Sequence, residues 1–235
     1  MGTRRKYYEA YDDRYKQVHK EALRWASGEP SAIVRDTIIE YGISEEKPIL
    51  ELGCGEGRDA AFLLKNRFRV MATDISKEAI SYCRKADPAH AECYQVLDCI
   101  DGTLDERFSF IYAVAVVHML VEDQDRNGFY RFIREHLTED GVALICTMGD
   151  GEVQMRSDIR SAFDLQEREH QETGRKLLIA GTSCRIVSFD TFAMELAGNG
   201  LAVLKQGITS VQPDFDRMMY AVVKKKNREP GTGSR

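Results

Sequence analysis

The chain predicts a doubly wound α/β fold: a seven-stranded, mostly parallel sheet with helices on both faces and a C-terminal antiparallel hairpin. Three observations carry this. A short apolar strand at Ile49–Leu52 runs into a glycine-rich turn and then a helix opening near Arg58. Strand-like and helix-like stretches then alternate as far as Met148, a rhythm that specifies a parallel sheet with right-handed crossovers. The last two strand-like stretches, near Ala202–Gln206 and Met218–Lys224, are joined by only a short link, which suits an antiparallel pair.

The elements follow in order. Residues 1–42 read as an N-terminal helical lid segment. Tyr8, Tyr11 and Tyr15, spaced by three and then four, share one helical face, which either packs on the domain or covers a ligand. Gly28-Glu29-Pro30-Ser31 breaks the segment, and Ile33, Val34, Ile38 and Ile39 predict a helix ending at Gly42. The main domain spans 43–226. After Ile49–Leu52, a second strand runs from Arg69 to Thr73 and is ended by Asp74; Ser76 can cap the next helix. A third strand, Tyr94–Leu97, is ended by Asp98. Phe108–Val117 has the continuous apolar character of a central parallel strand buried on both faces. A helix from about Asp125 to Leu137 and a fifth strand, Val142–Met148, follow. Residues 149–187 break the rhythm and read as an insertion: a charged helix over Ser157–Gln171, then two short β-like runs, Leu177–Ala180 and Arg185–Val187. Ser188 or Asp190 starts a helix carrying Phe192, Met194 and Leu196. Residues 227–235 read as a flexible tail.

Composition narrows the function. At 235 residues the chain has room for one large core, and a formal charge of −5 argues against a dedicated nucleic-acid binder. Its basic clusters, Arg4-Arg5-Lys6 and Lys224-Lys225-Lys226, lie near the ends and read as solvated faces. Six cysteines without a C-x-x-C pair fit free thiols in a reducing compartment, and the histidines make no metal-ligand pattern. MGTRRKYYEA has no apolar core of a secretory signal, and the apolar run Phe110–Val121 is too short to span a bilayer. The expected location is the cytoplasm, with no membrane and no metal; oligomeric state is not legible.

The chemistry gathers around PILELGCGEGRDAAFLL, residues 48–64. Gly53, Gly55 and Gly57 let the backbone turn tightly and approach a ligand, and the turn presents free N–H groups at the positive end of a helix. Asp74 and Asp98, at the next two strand ends, face the same crevice. Asp74 lies 21 positions after Gly53, the distance at which an acid accepts hydrogen bonds from ribose hydroxyls; Asp98 can accept from an adenine amine. A dinucleotide fingerprint wants a small residue where Arg58 stands, so Arg58 is available for a ligand carboxylate instead.

With E-L-G-C-G-E-G at 51–57, V-M-A-T-D at 70–74, L-D-C at 97–99 and F-S-F-I-Y-A-V-A-V-V-H-M-L at 108–120, the chain resembles the class I S-adenosylmethionine-dependent methyltransferases over about residues 45–148. The resemblance implies a Rossmann-like methyltransferase fold, S-adenosyl-L-methionine as cofactor and S-adenosyl-L-homocysteine as product. It implies in-line methyl transfer to a small-molecule thiol, amine or hydroxyl. It further implies that Glu51, Gly53, Cys54, Gly55, Gly57 and Arg58 surround the methionine part, that Asp74 and Ile75 meet the ribose, and that Asp98 and Cys99 flank the adenine. Ala113 and Val114 match positions that offer backbone to the methionine amine. Ser109 departs from the family, which commonly has Asp there, although that Asp is not a required catalytic residue.

GCGEGRDAAFL and the earlier Y-D-D-R-Y…W…G-E-P-S are similar to the small-molecule thiopurine and tellurite-resistance group, which implies that Tyr15 and Trp25 form the cofactor rim. His118, at the end of the fourth strand, is the candidate base or else packs against the cofactor. Tyr11, Asp150 and Arg185 are candidates for binding the acceptor. Alternatives are a methyltransferase of RNA or protein, a non-catalytic S-adenosylmethionine-binding protein, and an NAD-dependent oxidoreductase.

Overall fold

A computed structural model of the chain describes residues 5–26 and 28–226. The expected tail at 227–235, and Arg4 of the first basic cluster, lie outside the described residues. A 3-10 turn at Tyr7–Glu9 leads into α1 (Ala10–Lys20), and α2 spans Ala32–Glu40. Then follow β1 (Ile49–Leu52), α3 (Arg58–Lys65), β2 (Val70–Asp74), α4 (Lys77–Ala86), β3 (Tyr94–Val96), β4 (Phe108–Val114), α5 (Asp123–His136) and β5 (Leu137–Met148). The insertion holds β6 (Met155–Arg156), β7 (Leu165–Glu169), β8 (Lys176–Ala180) and β9 (Arg185–Ile186). The chain then continues through α6 (Phe189–Gly198), β10 (Leu201–Val211) and β11 (Phe215–Lys225).

The main sheet has the order β10-β11-β5-β4-β1-β2-β3. It is parallel from β3 to β5 and antiparallel at both β11 contacts, as the sequence predicts. Alternation along the strands divides the core into two layers. Leu50, Leu52, Ile111, Ala113 and Ile145 pack with α5 and α6, while Ile49, Phe110, Tyr112, Leu144 and Cys146 pack on the side of α3. β1 is buried along its whole length. Such a strand cannot shift register without exposing apolar surface, so the turn after it is held in place. Ser76 caps α4 by accepting a hydrogen bond from Ala79 N at 3.0 Å, and Ser188 does the same for α6 from Thr191 N.

Three expectations change. β4 stops at Val114, because Ala115 turns into the left-handed region (φ 61°) and a 3-10 turn follows at Val117–Met119. The predicted helix at Ser157–Gln171 is instead a 3-10 turn, Ile159–Ser161, and β7, which forms an antiparallel hairpin with β8. Leu165–Glu169 is exposed throughout and lacks an apolar helical stripe, so pairing with the apolar β8 decides its conformation. β5 begins at Leu137, five positions before the expected Val142, and passes a register shift against β4 before its buried part.

The 1–42 segment is divided between two environments. α1 joins the insertion, with Val18 against Leu177 and Ile179, and Ala10 against Ala162 and Ala180. Val34 and Ile38 of α2 pack into the core layer beside α3. Together α1 and the β7–β8 hairpin roof the carboxyl ends of the parallel strands. Among the described residues no helix is long and apolar enough to cross a membrane.

Candidate functional site

Two cavities open beneath this roof and meet at the glycine turn. The larger, about 650 Å³, is bounded by the turn, the end of β4, α1 and the insertion. The smaller, about 60 Å³, lies over the ends of β2 and β3. The residues expected at the cofactor separate between them by chemistry. Asp74, Ile75, Asp98 and Cys99, expected around ribose and adenine, line the small cavity. Glu51, Cys54, Gly55, Arg58, Val114 and Trp25 line the large one, as does His118. Gly53, Tyr11 and Tyr15 line both.

The turn is built for close approach. Gly55 has φ 53°, and a Cβ there would meet the Tyr15 hydroxyl at 2.6 Å; Gly53 has φ 70°, and its Cβ would strike Val116 at 2.4 Å. Any side chain at either position is both strained and obstructed. Gly57, also left-handed, faces Cys83 and Tyr94 rather than a cavity, and opens α3 as its N-cap. Ala113 is fully buried in β4 and lines neither cavity.

The acids of the turn have distinct partners. Asp74 accepts from Gly55 N and Ser76 N, both at 2.8 Å, which ties β2 to the glycine turn and to the start of α4. Burial raises the Asp74 pKa from its ordinary value against the pull of these N–H groups. Asp98 receives Lys6 Nζ at 2.7 Å and the Tyr8 hydroxyl at 3.3 Å, so the N-terminal segment is latched over the small cavity. Glu56 accepts from Trp25 N (2.9 Å), Ala26 N (2.8 Å) and His19 Nε2 (2.8 Å), which anchors the segment to the turn at a second point. Arg58 does not face an unengaged opening: it pairs with Asp214 at 2.6 Å and donates to Ser31 Oγ at 3.0 Å, fastening the β10–β11 turn to the site wall.

Glu51 is different. It is buried, Oε2 has no hydrogen-bond partner, and burial with the nearby Asp59 charge pushes its pKa up to about 8 against the pull of the Tyr112 hydroxyl. At neutral pH it holds a proton, and its residue lines the large cavity, so it can meet a cation only on releasing that proton.

His118 sits in the turn after β4. Arg126 fixes that turn by donating to Val117 O at 2.7 Å and Leu120 O at 3.2 Å, and Ser183 Oγ holds Met119 O at 2.6 Å. The imidazole is 4% exposed, and Nδ1 has no partner. Burial, aided by the charges of Arg126 and Arg14, pushes its pKa down to about 3. A group protonated only in strong acid is a poor general base at neutral pH, so the base role expected for His118 loses its physical support. What remains is a neutral ring able to orient a ligand by one hydrogen bond.

Two expected acceptor residues are placed elsewhere. Asp150 turns its carboxylate back onto Glu152 N and Val153 N, both at 3.0 Å, and lines neither cavity. Arg185 binds Val121 O at 2.9 Å and Asp123 at 2.5 Å, bracing the start of α5. Sequence reasoning passed over Glu56, Arg14 and Ala115. A charged residue between two glycines of a tight turn was a legible signal for Glu56; Arg14 sits within a charged helix and carried none. Among the described residues no group of three His, Cys, Asp or Glu side chains is placed to hold a metal ion.

Comparison with known proteins bears on the fold that holds this geometry. Residues 50–143 match the family described as "Methyltransferase domain". A curated protein of Geobacillus sp. (strain WCH70), whose name offers methyltransferase as a proposed activity, is 30% identical over 147 residues; the match spans 58% of this chain and 56% of that protein's own length. Among solved structures, an S-adenosylmethionine-dependent methyltransferase from Clostridium acetobutylicum ATCC 824 superposes with a TM-score of 0.64 at 14% identity, covering 94% of this chain and 99% of its own. A TehB-like S-adenosylmethionine-dependent methyltransferase from Corynebacterium glutamicum gives 0.58 at 20% identity, covering 93% and 97%. At these identities the likeness is one of fold: the chain has the α/β Rossmann-like methyltransferase fold.

Proposed function

We propose that the protein is an S-adenosylmethionine-dependent methyltransferase acting on a small molecule, of the thiopurine and tellurite-resistance type. The observation that carries the reading is the pair of cavities joined at Gly53 and Tyr15, with acids suited to a nucleoside on one side and the orphaned Glu51 carboxyl on the other. Glu51, on losing its proton, would receive the methionine ammonium, and the N–H groups of the glycine turn would lie along the methionine chain. Asp74 and Asp98 would meet the ribose and adenine once Lys6 yields its place on Asp98. S-adenosylmethionine supplies a methyl group on a sulfonium, whose departure needs no proton.

The chain's own contribution is then alignment and exclusion of water. The turn at Val117–Met119 presents the neutral His118 ring to the large cavity, where it would orient the acceptor. Tyr11, Tyr15 and Trp25 close the roof between the two ligands. A thiol or other acceptor that loses its proton readily suits a site whose histidine is so weak a base. Cys54, Cys83, Cys93, Cys99, Cys146 and Cys184 are all free thiols, which fits action in the cytoplasm.

Calorimetric titration with S-adenosylhomocysteine tests the cofactor assignment, and methyl-labelled S-adenosylmethionine over a panel of small thiols, amines and hydroxyls tests turnover. Micromolar binding with label transfer to a small acceptor is the expected result. NADH binding in place of S-adenosylhomocysteine, or transfer only to RNA or protein, overturns the reading.

A further inference from the structure

The charges around the large cavity are not all paired. Four of its carboxyl groups are already accounted for: Glu51 is held protonated, Glu56 takes His19 and two backbone N–H groups, Asp59 takes Ser31, and Asp214 takes Arg58. Glu169 stands exposed at the rim. The cations are another matter. Arg14 is buried to 7% exposure, donating Nε and Nη2 to Ala180 O, and Nη2 also to Gly181 O and to Thr182 Oγ1. All of these acceptors are neutral. Arg14 Nη1 takes part in none of these bonds, and among the described residues Arg14 has no carboxylate partner. Arg168, exposed on the same wall, donates its side chain to Gln166 and lies close enough to repel Arg14.

A buried guanidinium with no counter-ion is costly. Carbonyl groups and the faces of Tyr11 and Trp25, with ring centroids 5.1 and 4.8 Å from the Arg14 guanidinium carbon, hold it in place but do not neutralise it. The second unspent group is His118 Nδ1, a buried atom without a partner on a residue that lines the same cavity and feels the Arg14 charge. Met119, Met148 and Phe215 supply apolar wall beside these two polar groups.

Resting on the methyltransferase reading, we infer that the acceptor is an apolar-bodied monocarboxylate, its carboxylate received by Arg14 Nη1 and by His118 as its Nδ1–H tautomer. One unspent guanidinium nitrogen and one neutral ring match a single negative charge; a dianion would want a second buried cation. The neutral imidazole can carry its proton on either nitrogen, and a carboxylate selects the tautomer that donates to it. The carboxylate thereby fixes the orientation of the acceptor, and the reacting atom lies elsewhere on its body, toward the glycine turn.

The test uses benzoate and its neutral isostere benzamide as probes, by calorimetry and by ¹⁵N resonances of the His118 ring, on the whole protein with and without S-adenosylhomocysteine. Benzoate is expected to bind at least tenfold more tightly than benzamide and to be the only one of the two that shifts the His118 resonances. Arg14→Gln should abolish the preference. Equal affinities, or a benzoate preference that survives intact in folded Arg14→Gln, overturn the inference. Should Arg14→Gln fail to fold, the wild-type ratio and the His118 resonances decide, since neither needs a variant. Lack of S-adenosylhomocysteine binding would sink the methyltransferase reading separately, and the probe ratio on the unloaded protein still decides for or against an anion site.

Discussion

Replacing Glu51 by Gln removes one titration from the interior and leaves the shape almost unchanged, so its consequence can be worked out in advance. Glu51 has an ordinary pKa of 4.5 that burial and Asp59 raise to about 8. The folded chain therefore binds more protons than the unfolded chain between these values, and stability falls as pH rises through that window. Each pH unit in the window costs about 1.4 kcal/mol, so the full raise from 4.5 to about 8 corresponds to at most ~5 kcal/mol, and the part between pH 5 and pH 8 to at most ~4 kcal/mol. Glutamine cannot titrate and does not suffer this loss. Urea unfolding at pH 5, 7 and 8.5 should show Glu51→Gln gaining on the wild type at each step. The same proton should leave when a ligand ammonium docks. Titration of S-adenosylhomocysteine at pH 7 in two buffers of unlike ionisation enthalpy should then reveal close to one proton released by the wild type and none by Glu51→Gln. A wild-type-to-variant stability difference that is flat with pH would refute the burial argument, and binding without proton release would refute the ammonium assignment.

Three other outcomes follow from the same contacts. Lys6→Ala opens the latch over Asp98; because the lysine is 36% exposed, stability should fall by no more than ~1 kcal/mol while S-adenosylhomocysteine associates faster in stopped flow. Slower association would mean that Lys6 helps to bind the ligand rather than to cover its place. Glu56→Ala strands the half-buried N–H groups of Trp25 and Ala26 and should cost about 1–2 kcal/mol, with hydrogen exchange rising first in residues 19–26. Protection confined to its wild-type pattern would show that the anchor lies elsewhere. Asp74→Ala releases Gly55 N and Ser76 N together, so both stability and cofactor affinity should drop, by about 1–3 kcal/mol in unfolding; a variant that lost affinity alone would restrict Asp74 to ligand contact.

The sequence carried the frame of this site well. Ile49–Leu52 followed by alternate glycines left few conformations open, because an apolar strand on a short leash to a helix must deliver the turn at the sheet's carboxyl edge. Asp74 and Asp98 at consecutive strand ends placed two acids over one crevice, and the structure puts both on the small cavity. What the pattern could not reveal were their present partners, since Lys6 reaches Asp98 from 92 positions away. Leu165–Glu169 misled for a related reason: five exposed residues carry no burial pattern, and only pairing with β8 made them a strand.

By itself, then, the sequence determined the strand–turn–helix unit, the alternation of strands and helices as far as Met148, and the residue types at the strand ends, because local periodicity and glycine conformations specify these over short distances. Tertiary structure alone decided that Arg58 fastens a distant hairpin, that Arg14 is a buried cation with neutral partners, and that Glu51 holds a proton while His118 does not. Those are properties of burial and of neighbouring charge, and both come into being only when segments far apart in the chain are packed together.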